Sequence, residues 1–191
     1  AEGIRGCVNN GISETVANHL FDEMMDFANY AFNKSHAACY AYVSFQTAWL
    51  KHYYPKEFMA ALMTSVIDNS SKIAEYILVC RQMGISILPP DVNDGKAVFS
   101  VSGEGIRFGL SAIRAVGTAV SEEIVRERET GGAFRSLEDF IERLSNKEAN
   151  RRTLESFVKA GALDSMPGNR RQKLLLIPEL LDKKAKQKNA I

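Results

Sequence analysis

Two adjacent prolines in the stretch ISILPPDVN, Pro89 and Pro90, constrain this chain more than any other feature. Each fixes φ near about −65° and lacks an amide hydrogen, so no helix runs through the pair, and the residues before them are pushed toward extended backbone. The pattern changes there. Upstream, Ser13 has the chemistry of an N-cap, and Val16, Leu20, Met24, Phe27 and Ala31 recur at helical spacing over about five turns. A second helix is expected after Ser35, with Ala38, Tyr42, Phe45 and Trp49 along one face and with Tyr42, Phe45 and Trp49 in the core. Pro55 suits the first turn of a third helix, PKEFMAALMTSVI. Asp68 to Ser71 make a polar break, and a fourth helix, KIAEYILVCRQM, closes at Gly84, where a left-handed residue costs little.

Downstream of the prolines, AVFSVSGEGIRFGL carries two short alternating runs around Ser102 to Gly105, a hairpin signature. Four helical stretches follow: SAIRAVGTAVSEEIVRERE with an internal break, SLEDFIERL, NRRTLESFVKAG and GNRRQKLLLIPELLDKKAK. The fold expected is mainly α, with a helical domain over 1–90 and a second domain over 91–191 that begins with a small β-hairpin and continues as paired helical hairpins.

A chain of 191 residues that is 46% hydrophobic has ample material for a core. No apolar run approaches the roughly 20 residues a bilayer span needs, and the start does not read as a secretory signal, so a cytoplasmic location and no membrane partner are expected. Cys7, Cys39 and Cys80 are odd in number and never in CxxC, which indicates neither a disulfide framework nor a zinc site; three reduced, packed thiols are expected. The opening AEGIRGCVNNG has neither an initiator Met nor a helix start, and reads as a cut made inside a longer protein.

The net charge of +1 conceals an asymmetry. From Asn150 onward ten basic residues stand against four acidic ones, an excess of six positive charges, so the remainder carries −5. Such an end suits a polyanionic partner approached from one side. It is equally what a solvated helical face with a frayed tail looks like.

The break in IRAVGTAVSEEIV is the most specific local feature of the second half. Arg114, Ala115, Val116 and Gly117 separate two helical stretches, and the second starts near Thr118. Such a bend aims free N–H groups of Val116 to Ala119 and the positive end of a helix dipole outward, where a phosphate oxygen can be received. A tight interhelical corner can also contain Val-Gly for packing alone. Arg107 and Arg114 flank the bend, and a second corner, VKAGALDSMPGNRRQ, turns at Gly161 and presents Arg170 and Arg171 at the next helix start. Lacking a GxG, that second corner is expected to support packing and orient its arginines more than to build a complete phosphate site.

In FNKSHAACYAYVSFQTAWLKHYYP, Asn33, Lys34, Ser35 and His36 sit where one helix ends and another begins, and Tyr40 follows about one turn later. Orphan amides beside a cation make an anion-receiving corner for a triphosphate, with a ring nearby for a base. Alternatively Ser35 caps the helix and His36 bonds a local carbonyl. The chain has no GxxxxGK[ST], HExxH or GxSxG. Asp22, Glu23 and Asp26, or Glu122 and Glu123, read as solvated faces rather than a two-metal site, so no catalytic or metal-binding residue is assigned.

Taken in order, YAFNKSHAACYAYVSFQTAWLKHYYPKEFMAALMTS, DNSSKIAEYILVCRQMGISILPPDVN, IRFGLSAIRAVG, FRSLEDFIERL and NRRTLESFVKAGALDS resemble the alpha subunits of bacterial DNA polymerase III over nearly the whole chain. The resemblance implies the later fingers domain joined to a tandem helix-hairpin-helix module that grips product duplex. It makes Asn33, Lys34, Ser35, His36 and Tyr40 candidates for the wall of the incoming nucleotide's pocket, and Arg107, Arg114, Val116, Gly117, Thr118, Ala119, Arg170 and Arg171 candidates for duplex contact. It also implies a role in chromosomal DNA replication, with primer-template DNA, a deoxynucleoside triphosphate, the remaining polymerase domains and replisome subunits as partners. The magnesium-binding acids of the family lie in an upstream palm domain, so this piece alone is expected to be inactive and to hold no cofactor. One departure stands out: where the family usually has Gly-Val-Gly, this chain has Ala115-Val116-Gly117. Either the first position needs positive φ, and the Cβ costs roughly 1 kcal/mol or more, or it lies in an ordinary region and Ala is harmless. A stand-alone helical adaptor that binds protein through the aromatic-rich first domain is the alternative; a structure-selective nuclease fails for want of clustered acids.

Overall fold

Start and stop signals place most of the helices. A computed structural model describes residues 6–30, 34–144 and 150–188. Among these, α1 (Glu14–Tyr30) begins after Ser13, whose hydroxyl accepts the Val16 N–H at 3.4 Å. α2 (Lys34–Tyr53) starts a little earlier than the sequence suggests, which puts Ser35 inside its first turn. α3 (Pro55–Ser65) has Pro55 at its first position, and α4 (Ser70–Gln82) is capped by Asn69, whose side chain accepts from the Lys72 N–H. Gly84 ends α4 at φ 73°, and the Ile85 N–H returns to the Cys80 carbonyl at 2.8 Å.

The chain then becomes extended. β1 (Ser86–Leu88) runs parallel to β3 (Gly105–Arg107), and β3 pairs antiparallel with β2 (Ser100–Ser102), giving the order β1-β3-β2. Ser102 faces Gly105 across the expected hairpin turn. After a 3-10 turn at Leu110–Ala112 come α5 (Thr118–Gly131), α6 (Leu137–Arg143), α7 (Arg151–Ala160) and α8 (Arg170–Lys188). The mainly helical fold and the hairpin of β2 and β3 agree with the sequence reading, which did not foresee the parallel pairing of β1 that makes the sheet mixed.

Two compact units divide within α2, Ala1–Trp49 and Leu50–Ile191. In the first, the apolar stripe of α1 and α2 is not buried: Val16, Leu20, Met24 and Phe27, and Tyr42, Phe45 and Trp49, are all exposed, Phe45 by 68%. This corrects the expectation that Tyr42, Phe45 and Trp49 are core. Helical periodicity identifies an apolar face but not what covers it. The expectation of three packed thiols is corrected as well, since Cys80 is buried but Cys7 and Cys39 are exposed.

The second unit holds two cores. Met59, Met63, Ile73, Cys80, Phe99 and Ile106 join α3 and α4 to the sheet. Leu110, Ile124, Phe140, Phe157, Leu163 and Ile177 join the later helices, with Phe140 edge-on to Phe134 and Phe157 at centroid distances of 5.0 and 5.9 Å. Phe108 packs against both cores. The extended segment after Pro90 is pinned to the loop after α7: the Val92 N–H donates to the Ala162 carbonyl at 3.0 Å, and the Ser165 hydroxyl donates to Asp91 at 3.0 Å.

Tight corners between short helices leave main-chain carbonyls without helical partners, and buried ones must be satisfied. Cationic side chains do this repeatedly. Arg128 donates to the Val92 and Gly95 carbonyls at 2.9 and 2.7 Å, and Arg143 donates to the Gly132 carbonyl at 3.0 Å and also to that of Glu127. Lys184 donates to Ile141 and Leu144, closing the end of α6. Lys173 is 2% exposed, and its ammonium donates to the Leu163 and Met166 carbonyls at 2.8 and 2.9 Å. Replacing Lys173 by Ala removes a buried stem and leaves two carbonyls without a donor. Lys173→Ala is expected to destabilise the chain by about 2–4 kcal/mol in urea unfolding; a loss below about 0.5 kcal/mol would show that the corner does not need it.

Candidate nucleic-acid interface

The first interhelical corner is built on one unusual backbone position. Ile113 donates to Leu110 and Val116 to Ile113, at 3.2 and 3.0 Å, so the turn tightens before α5 begins. Between them Ala115 takes φ 65°, the one non-glycine residue with positive φ among those described. This decides the question the sequence left open. The position has the left-handed geometry glycine favours, and Ala pays for its Cβ by roughly 1 kcal/mol. The Val116 side chain is 7% exposed and plugs the second core, while its own N–H stays within the turn.

Gly117 then opens α5 in extended geometry with no side-chain cap. The N–H groups of Gly117, Thr118 and Ala119 belong to the orphan set at a helix start, have no partner among the described residues, and sit on exposed residues. No acidic residue occupies the first turn. Arg114 is exposed on the loop just before. An uncapped helix start with a guanidinium beside it is a receptor for an anionic oxygen.

The second corner is closed in a different way. α7 ends at Gly161 with φ 84°, where an added Cβ would press on the Arg170 guanidinium. At the start of α8, Asn169 accepts the Gln172 N–H and the Gln172 side chain accepts the Asn169 N–H, both at 2.9 Å. This reciprocal cap occupies donors that remain open at α5. Arg170 is held by the Asp164 carboxylate, at 2.5 Å from Nη2, and donates to the Lys159 carbonyl at 3.4 Å. The hydrogen bond from Arg170 holds the Asp164 carboxyl below the usual carboxylate range, opposed by partial desolvation. Arg171 is exposed with no partner among the described residues.

Arg107 is also committed. Its guanidinium binds Asp94 at 2.6 and 3.0 Å and the Pro89 carbonyl at 3.0 Å, locking β3 to the proline segment. Hydrogen bonds from Ser102 and then Arg107 lower the Asp94 carboxyl's affinity for a proton. Arg152, which the sequence reading did not single out, is exposed on the first turn of α7 and lines the same hollow as Arg114. Only the folded arrangement of the corner against α7 brings the two together.

Of the candidate nucleotide cluster, Asn33 lies outside the described residues. Lys34, Ser35, His36 and Tyr40 occupy the first turns of α2, all exposed, with the His36 and Tyr40 rings 4.2 Å apart between centroids. Among the described residues no group of three or more His, Cys, Asp or Glu is placed to hold a metal. No described helix is long and apolar enough to cross a membrane.

Residues 84–173 match the family described as the helix-hairpin-helix motif. The DNA polymerase III subunit alpha of Thermus aquaticus is 51% identical over 178 residues, which is 93% of this chain and 14% of that protein. Those of Deinococcus radiodurans and Chlamydia muridarum are 47% and 41% identical over 93% and 94% of this chain. The chain is homologous to a segment of the DNA polymerase III alpha subunit. It spans about one seventh of the length of these relatives. The helix-hairpin-helix match contains both corners of this chain, the open one before α5 and the capped one before α8.

The positive φ at Ala115 gives a direct test of this corner. Ala115→Gly is expected to raise stability by about 1 kcal/mol in urea unfolding, and Ala115→Val to lower it by at least as much. A Gly variant less stable than the parent would mean that the turn does not hold the left-handed geometry in solution.

Proposed function

We propose that this chain supplies the later fingers (residues 1–90) and the tandem helix-hairpin-helix duplex grip (residues 91–191) of a DNA polymerase III alpha subunit acting in chromosomal replication in the bacterial cytoplasm. The observation that carries the duplex reading is the open start of α5: exposed N–H groups at Gly117, Thr118 and Ala119 beside Arg114. Main-chain donors and guanidinium groups recognise phosphate without reading bases, so the grip is sequence-independent. Arg152 and Arg171 are the further exposed cations in reach of a backbone rail. Arg107 and Arg170 shape the surface through Asp94 and Asp164 instead. In the full-length protein the reaction is nucleotidyl transfer at a palm outside this chain, with magnesium held there and the other polymerase and replisome parts as partners; the chain alone is inactive.

Duplex binding measured across a salt series tests this reading. With about three cations neutralising phosphates, log K is expected to fall against log salt with a slope of roughly −3, at micromolar or weaker affinity and with little dependence on sequence. A helical adaptor is the second reading, favoured by the exposed aromatic face of α1 and α2. A flat salt response together with retained association with protein supports that alternative and contradicts the duplex grip.

For the fingers, Lys34, Ser35, His36 and Tyr40, with Asn33, are proposed to face the incoming nucleotide. Lys34→Ala and His36→Ala in the full-length polymerase are expected to raise KM for the nucleotide or lower kcat while duplex affinity holds. Unchanged kinetics would return the cluster to a purely helix-starting role.

A further inference from the structure

Beside the first corner lies a hollow of about 640 Å³ that shares Arg114 and Arg152 with the duplex reading but has an apolar lining which that reading does not use. Its volume is within the range of small-ligand clefts, roughly 300–1,000 Å³. Pro90, Phe108, Ala112 and Ile113 give it an apolar lining on one side, and Ala160 of α7 continues that lining on the other. The charged lining is predominantly positive. Arg114 and Arg152 have no acidic partner among the described residues, while Glu155 is already paired with Arg151 at 2.8 Å and Lys159 at 3.1 Å. Those two bonds hold the Glu155 carboxyl below the usual carboxylate range, so it stays ionised and engaged with its own helix.

An apolar hollow ringed by unpaired guanidinium groups calls for a ligand with both characters. A sugar-phosphate rail offers charge but no large apolar group, and would leave the lining wet. A splayed-out base needs an open ring face to stack on. The one ring in the lining, Phe108, stands edge-on to Phe99 at 4.9 Å and is packed against both cores. A short peptide with one or two apolar side chains flanked by carboxylates fills the hollow and neutralises its rim at once. We propose that the hollow between the first interhelical corner and α7 is a docking site for an acidic protein segment with an apolar anchor. Ala115, at φ 65°, lines it as well.

The test uses the 191-residue chain and a fluorescein-labelled hexapeptide, Phe-Ile flanked on each side by two aspartates, followed by anisotropy. Saturable binding is expected, weakened roughly tenfold or more by Arg152→Glu through the charge and by Ser156→Trp through filling of the hollow. Ser156 lines the hollow and donates to the Arg152 carbonyl on its own helix, and since Ser and Trp are both uncharged its substitution leaves the net charge unaltered. Duplex affinity under Ser156→Trp is expected to stay within about twofold, since no phosphate contact is assigned to it. A control peptide with Ser-Ser in place of Phe-Ile is expected to bind at least roughly tenfold more weakly than the parent peptide. Equal binding of the two peptides, or no binding of the first, overturns the proposal. So does loss of duplex or single-strand binding under Ser156→Trp with peptide binding intact, which assigns the hollow to nucleic acid. Should Ser156→Trp fail to fold, Arg152→Glu and the control peptide carry the test.

Discussion

Short helices joined by tight corners can exist only if the carbonyls stranded at those corners find donors, and in this fold the donors are lysine and arginine. Arg128, Arg143, Lys173 and Lys184 each clasp a pair of carbonyls from another part of the chain. A long flexible cation can reach across to such a corner, and its bonds are charge-assisted. Such bonds, buried or partly so, are little affected by salt. Exposed cations facing a polyanion are strongly affected by it. The basic residues of one sequence therefore divide into two physical classes, those that hold the fold and those left for a partner.

This division reinterprets the positive excess after Asn150. Lys173 and Lys184 turn inward, Arg170 is tied to Asp164, and Arg151 and Lys159 share Glu155. Arg152 and Arg171 remain exposed near the two corners. The contrast between the corners follows the same logic in the main chain. A reciprocal Asn169 and Gln172 cap satisfies the start of α8, whereas α5 opens on Gly117 without a cap. Both lie in a helix-hairpin-helix match, yet among the described residues the donors of the cap residue and of the third helical position are taken at α8, whereas no side chain caps the start of α5.

Much of the architecture was legible in the sequence because its signals are local. Ser13, Pro55, Asn69 and Gly84 mark helix ends through their own backbone chemistry, and Pro89 and Pro90 keep the stretch after β1 from returning to helix. The break at Arg114 to Gly117 is equally local, although a 3-10 turn at Leu110–Ala112 stands before it where the sequence suggested a helical stretch. What the sequence could not supply is tertiary. The commitment of Arg107 to Asp94 and Pro89 depends on a sheet register, and the burial of Lys173 depends on how α8 closes over the preceding loop. The expected core face of α2 failed for a related reason, because Tyr42, Phe45 and Trp49 are spaced to be covered and yet are exposed among the described residues. At Ala115 the sequence allowed two backbone geometries, and only the fold distinguishes them.

The most direct measurement is a titration of the isotope-labelled chain with a short duplex, following backbone amide resonances. If unsatisfied main-chain donors at the opening of α5 receive phosphate, the amides of Gly117, Thr118 and Ala119 shift first and most, the Arg114 and Arg171 surroundings shift with them, and the capped amide of Gln172 hardly moves. Amides at the start of α5 that stay still while duplex binds elsewhere on the chain would contradict that assignment.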